Sequence, residues 1–128
     1  MTRAYFDSSA LFKLAKAESE SQALIDYLDD GVVEASTSIL AEVEVIRNLR
    51  LYGFDADDAL AGFYLLAPDV DVRQTAIALA DRKVKALDAI HIATALAIGD
   101  RDLQFVTYDE RQADAARQAG LKVVQPGR

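Results

Sequence analysis

Ala4-Tyr5-Phe6-Asp7-Ser8-Ser9-Ala10-Leu11-Phe12, residues 4–12, decides the fold. A short apolar run ends on a polar trio, and Leu11, Phe12, Leu14 and Ala15 then recur at helical spacing. The stretch reads as a strand that turns straight into a helix. The same switch recurs far along the chain, where Phe105-Val106-Thr107 reads as a strand and Glu110 to Gln118 as a helix closed by Gly120. Asp7 and Asp109 follow these two strands. If both strands run parallel, the two carboxylates share one sheet edge, the edge where open α/β sheets bind ligands.

The intervening chain keeps alternating. Leu24, Ile25 and Leu28 make one stripe of a helix over Ser21 to Leu28, and Asp30-Gly31 stops it before a short strand at Val32-Val33. Ser36-Thr37-Ser38 supplies capping hydroxyls for a long helix from Ile39 to Leu51. Asp55 to Leu66 reads as a further helix whose bulky end, Phe63-Tyr64-Leu65-Leu66, is taken as ordinary core rather than a partner surface. Pro68 closes it, a brief strand covers Val70 to Val72, and more helix follows from Gln74 to about Arg82. Ala86 to Ile98 is apolar except for Asp88, His91 and Thr94, so it reads as a helix buried on most sides. Leu121 to Val124 is a last strand. Alternating strands and helices predict an α/β fold with a central, mainly parallel sheet covered by helices on both faces.

Composition narrows the chemistry. The 128 residues, 52% hydrophobic and 27% charged, fit one globular domain over residues 1–128. The absence of cysteine removes disulfides, thiol nucleophiles and Cys-based zinc sites, and a lone histidine, His91, excludes a multi-histidine site. No apolar run approaches the roughly 18 residues of a membrane span, so a cytoplasmic protein with no membrane partner is expected. Fourteen basic against twenty-one acidic residues, net −7, argue against nucleic-acid binding through a general positive surface. Converging acids can still act on phosphates through a divalent cation.

Each candidate acid has a plainer role as well. Asp7 and Asp109 are placed to cap the helices they precede. Asp88 lies between Leu87 and Ala89-Ile90, where an unpaired charge is expensive, so it needs a cation or partner unless it caps a helix beginning at Ala89. His91 reads as a satisfied core histidine and is given no catalytic part. A fourth carboxylate is Glu42 or Glu44, both flanking the apolar stripe of their helix, with Glu42 marginally closer by periodicity.

Four stretches settle the register by resemblance. Tyr5-Phe-Asp7-Ser-Ser-Ala-Leu, Thr37-Ser-Ile-Leu-Ala-Glu-Val-Glu44-Val-Ile-Arg47, Leu87-Asp88-Ala-Ile-His-Ile-Ala-Thr-Ala-Leu and Val106-Thr-Tyr-Asp109-Glu-Arg together resemble the PIN-domain ribonucleases, and among them the VapC toxin type. The resemblance implies a three-layer α/β/α domain whose acids Asp7, Glu44, Asp88 and Asp109 bind Mg2+ or Mn2+ and cut RNA phosphodiesters. In the family's middle motif the glutamate follows the serine by six residues and precedes an arginine by three, which selects Glu44. Asp7 and Asp88 then hold the cation directly, Asp109 directly or through water, and Glu44 a water or second ion.

Ser9 and Thr107 match the small hydroxyl positions that accompany these acids, though both are equally plain turn and cap hydroxyls. RNA contacts fall to Arg47, Arg50, Lys13, Lys16 and the Arg82-Lys83-Val84-Lys85 turn, each of which is otherwise a solvated surface charge. The resemblance further implies a cognate antitoxin whose C-terminal segment enters the acidic groove with a basic side chain, and a homodimer. Three rival readings are a PIN nuclease in RNA processing without an antitoxin, a non-catalytic binding module, and a response-regulator receiver. The last fits poorly, since Asp7-Ser8-Ser9 lacks adjacent acids and Val123-Val124-Gln125 lacks the late lysine.

Overall fold

The computed structural model describes residues 2–128, so Met1, the first residue of the expected domain, lies outside the described residues. Among these, five strands and six helices alternate as β1 (Thr2–Phe6), α1 (Ser8–Ala15), α2 (Ser21–Asp29), β2 (Val32–Ser38), α3 (Ile39–Leu51), β3 (Phe63–Leu66), α4 (Val70–Ala78), α5 (Ala86–Ala97), β4 (Gln104–Val106), α6 (Glu110–Gln118) and β5 (Lys122–Val124). The strands form one sheet in the order β3-β2-β1-β4-β5, every pairing parallel.

Side-chain alternation along β1 builds two cores. Ala4 and Phe6, with Val106 of β4, face Ala10, Leu11, Leu24, Ala41, Val45 and Leu49 from α1, α2 and α3. Tyr5 and Phe105 face the other way, against Ile92 and Ala95 of α5 and Ala115 and Ala116 of α6. The result is the expected three-layer α/β/α arrangement. A central strand buried on both faces must be apolar at consecutive positions, and Ala4-Tyr5-Phe6 is.

Register fixes the sheet edge that matters. Phe6 pairs with Val106 and Tyr5 with Ser36, so Asp7, Thr107 and Ser38 leave the C-terminal ends of β1, β4 and β2 side by side. The chain order reverses about β1, which pairs with β2 on one side and β4 on the other. Asp7 therefore sits at the topological switch point, where doubly wound sheets open a crevice.

Two segments depart from the sequence expectation. Asp55 to Leu66 is not a helix: residues 57–62 form turns, Gly62 at φ 84° breaks them, and Phe63–Leu66 becomes the edge strand β3 alongside β2. Its bulky run divides between core and solvent, with Phe63 packed edge-on to Phe6 while Tyr64 and Leu65 are exposed. Val70 to Val72 is not a strand but the first turn of α4, because the Asp69 carboxylate accepts the Val72 N–H at 2.8 Å and nucleates a helix that ends at Ala78, short of Arg82. The strand expected at Val32-Val33 continues to Ser38, and only Ser38 of the hydroxyl trio caps α3.

Candidate active site

The site grows from Asp7. Its backbone N–H donates to the Val106 carbonyl at 3.1 Å, tying the end of β1 to β4, and its carboxylate caps α1 by accepting the Ala10 N–H at 3.0 Å. Ser9 Oγ donates to the same oxygen at 2.6 Å, and Thr107 Oγ1 donates to the other. Ser9 and Thr107 are themselves pinned, since Ser9 Oγ accepts the Tyr108 N–H at 2.9 Å and Thr107 Oγ1 the Asp109 N–H at 3.1 Å. These donors favour the charged carboxylate, yet burial outweighs them and pushes Asp7 up to about 6.

Asp109 caps α6 by accepting the Arg111 and Gln112 N–H groups through one oxygen, which leaves the other open. Its charge helps to raise both Asp7 and Asp88. Asp88 lies inside the first turn of α5, which starts at Ala86 as expected, so the alternative in which Asp88 caps a helix beginning at Ala89 does not hold. Partial burial raises Asp88, while the backbone of Lys85 and the charges of Arg111 and Lys85 draw it back. Glu44 comes from the exposed face of α3, where Ser8 Oγ donates to its carboxylate at 2.9 Å.

One cavity of about 250 Å³ is lined by Asp7, Ser8, Ser9, Phe12, Glu44, Leu87, Asp88, His91 and Asp109. Four separate segments thus bring all four predicted acids to one crevice. Glu42 faces a neighbouring cavity, with Val43, Ile46, Arg47, Arg50, Leu60 and Leu65. Of the predicted RNA contacts, Arg47 and Arg50 line that second cavity, Lys85 lines an apolar one between α4 and α5, and Lys83 lines none of these. Lys13 pairs with Glu18 and Glu20. Sequence reasoning passed over Ser8 and Arg111: Ser8 precedes the hydroxyl that was chosen, and Arg111 follows Asp109 by two residues on a helix whose surface is mostly polar.

Hard carboxylate oxygens and hydroxyls, with no sulfur and a buried imidazole, form a donor set that suits Mg2+ or Mn2+. Among the described residues no three such side chains stand together as a preformed metal cage. Mg2+ does not require one, since it keeps several waters and is commonly held by one or two carboxylates together with substrate phosphate. Acids pushed upward by burial and by each other fit a place that takes a cation.

A doubly wound parallel α/β domain with an acidic crevice at its switch point is the class that fold and site define. Within that class the chain belongs to the PIN-domain family, matched over residues 4–118. It is 40% identical to ribonuclease VapC35 of Mycobacterium tuberculosis over 96% of each chain. Its identity to ribonuclease VapC46 of the same species is 42%, over 98% of this chain and 99% of the relative. Among solved structures, one chain of a toxin–antitoxin complex from Klebsiella pneumoniae superposes with a TM-score of 0.71 at 23% identity, over 85% of this chain and 88% of that one. A shorter likeness, 34% over 91 residues, links the chain to 38% of the transcriptional regulatory protein PrrA of Mycobacterium leprae. The residue after Asp7 is a serine, so the adjacent acids a receiver needs there are missing. No helix among the described residues is long and apolar enough to cross a membrane.

Proposed function

We propose that this chain is the endoribonuclease toxin of a VapBC-type pair, a single PIN domain that cuts RNA phosphodiesters in the cytoplasm with Mg2+, for which Mn2+ substitutes. The observation that carries the reading is the convergence of Asp7, Glu44, Asp88 and Asp109 on one crevice. Its support from outside the chain is two ribonucleases above one-third identity across nearly the whole length.

In this reading Asp7 and Asp88 would hold the cation, and Asp109 would join them directly or through water. When bound, the cation neutralises charge on the phosphate and lowers the pKa of the attacking water. Glu44 would orient the attacking water from the crevice rim, and Ser9 and Thr107 keep Asp7 aimed through their hydrogen bonds to its carboxylate. With no thiol and a neutral, buried imidazole, cleavage is direct hydrolysis without a covalent enzyme intermediate.

Arg111 and Lys85 lie near enough to act on Asp88 and supply positive charge for the RNA backbone. Phe12 joins the crevice to a surface cluster in which Lys16 Nζ lies 5.2 to 5.8 Å from the rings of Phe12, Tyr52 and Phe54. Stacking of unpaired bases on such rings needs no general basic surface, which reconciles RNA binding with the net charge of −7. The antitoxin's basic side chain would compete for the acid crevice, and its apolar residues suit the neighbouring cavity lined by Val43, Ile46, Leu60 and Leu65. Pairing of two copies belongs to the same reading, supported by the exposed Val70 and Ile77 of α4.

Induced expression in a bacterial host tests it. The parent chain is expected to arrest growth, Asp88→Asn to leave growth unaffected, and co-expression of the product of the adjoining gene to relieve the arrest. Arrest without relief would favour a processing nuclease lacking an antitoxin. Normal growth together with intact RNA would favour the non-catalytic module and end the proposal.

A further inference from the structure

A directional line of hydrogen bonds runs from the core to the crevice. Tyr5 Oη lies 2.6 Å from His91 Nδ1, His91 Nε2 lies 3.2 Å from Ser8 Oγ, and Ser8 Oγ lies 2.9 Å from Glu44 Oε2. Tyr5 and His91 are almost wholly buried, whereas Glu44 is exposed.

The protons can be placed from the Glu44 end. An ionised carboxylate only accepts, so the Ser8 hydroxyl donates to Glu44. Ser8 Oγ must then accept, and its remaining partner is the His91 Nε2–H. A neutral ring protonated at Nε2 carries a lone pair at Nδ1, which accepts the Tyr5 O–H. Every donor has an acceptor in this one arrangement, and burial, which drags the imidazole down to about 4, keeps the ring in the neutral form it requires.

Glu44 needs such a tether. Among the described residues Ser8 is its only hydrogen-bond partner, and a long side chain on an exposed helix face keeps its rotamer freedom unless a contact holds it in one place. We propose that His91 is a positioning residue, which fixes the Ser8 hydroxyl through Nε2–H and thereby aims Glu44 into the crevice. The kinetic part of this proposal rests on the ribonuclease reading above, and the hydrogen-bond part does not.

Because His91 is the only histidine, imidazole 15N labelling gives one pair of ring signals. The expected spectrum is an Nε2–H tautomer that stays neutral below pH 5, with an Nε2 signal that moves in both Ser8→Ala and Glu44→Gln. An Nδ1–H tautomer, a charged ring at pH 6, or a signal indifferent to both substitutions would overturn the proposal. The second arm measures cleavage of total cellular RNA. Ser8→Ala and His91→Phe are each expected to lower kcat by about 10-fold to 100-fold with KM little changed, and the double variant by no more than either alone. His91→Gln, which keeps one donor and one acceptor, recovers part of the loss. Additive losses, or a His91→Phe chain that melts earlier yet cleaves normally, would reduce His91 to a core residue. A parent chain that cleaves no RNA would refute the ribonuclease reading alone, leaving the spectra to decide the hydrogen-bond line.

Discussion

Replacing Asp7 by asparagine separates a residue kept for a cation from one kept for the fold. Asp7 is 3% exposed, and burial raises it to about 6 despite donors from Ser9, Thr107 and the Ala10 N–H. An unfolded aspartate titrates near ~3.9, so the gap of roughly two pH units costs the folded state about 3 kcal/mol at pH 7. Because the folded value lies above the unfolded one, this cost is absent below about pH 4, grows between 4 and 6, and is complete above that. Asparagine keeps the oxygen that accepts from Ser9 and Ala10 but places an NH2 against Thr107, at a loss of about 1 kcal/mol. The net gain at pH 7 is about 2 kcal/mol, or roughly 5 to 10 °C in Tm for a domain of this size. Thermal melts in EDTA should show Asp7→Asn above the parent at pH 7 and level with it or below at pH 4, while added Mg2+ raises the parent more than the variant. A variant that melts lower at pH 7, with a gap that pH does not change, would show that Asp7 is a helix cap and needs no cation.

Other substitutions probe the remaining structure. Asp88→Asn should abolish RNA cleavage while leaving the apo Tm unchanged or higher, since burial and the charge of Asp109 raise its carboxyl and the amide keeps an oxygen for the Lys85 backbone; a lower Tm with cleavage intact would restore the structural role. Glu44→Gln should remove at least about tenfold of the cleavage rate, and Glu42→Gln, facing the other cavity, should not; equal losses would refute the assignment. Phe6→Ala empties a fully buried site between β1 and β3 and should cost about 3 to 5 kcal/mol in urea denaturation, well above the cost at exposed Tyr64. Glu20 is lowered to about 2 by Ser19, Lys13 and Arg128, so Glu20→Gln should lower Tm at pH 7, and the difference should shrink as pH falls from about 4 towards 2.

The parts of this fold that could be read from sequence are those where local and tertiary forces agree. At β1–α1 and β4–α6 an apolar strand meets an aspartate that caps the next helix, and each element is long or regular enough to declare itself. α5 is apolar on so many faces that no surface alternative exists. β3 and α4 failed for a common reason. Four bulky residues after Asp55 look like the end of a helix until Gly62 is seen to break the turns and β2 to supply a pairing edge, and Val70–Val72 looks like a strand unless Asp69 is recognised as a cap.

The site was legible as a set of acids and, for Asp7 and Asp109, as one sheet edge. Periodicity left Glu42 and Glu44 unresolved, because both flank the same stripe; the resemblance selected Glu44, and the structure puts Glu44 on the crevice and Glu42 on the neighbouring cavity. Ser8 and His91 looked ordinary because their contacts span 83 and 36 residues of separation to partners no local pattern reveals. For the basic residues the sequence holds no comparable signal, since surface charges carry no periodicity that tells which cavity they face.

The central claim is that the acids at the switch point make this chain a metal-dependent nuclease. The most direct test incubates purified protein with total cellular RNA and Mg2+ or Mn2+, beside EDTA and Asp7→Asn controls. The account predicts discrete fragments that vanish in both controls and return when excess metal is added back to the EDTA reaction. Fragments that persist in EDTA, or that Asp7→Asn produces as readily as the parent, would contradict it.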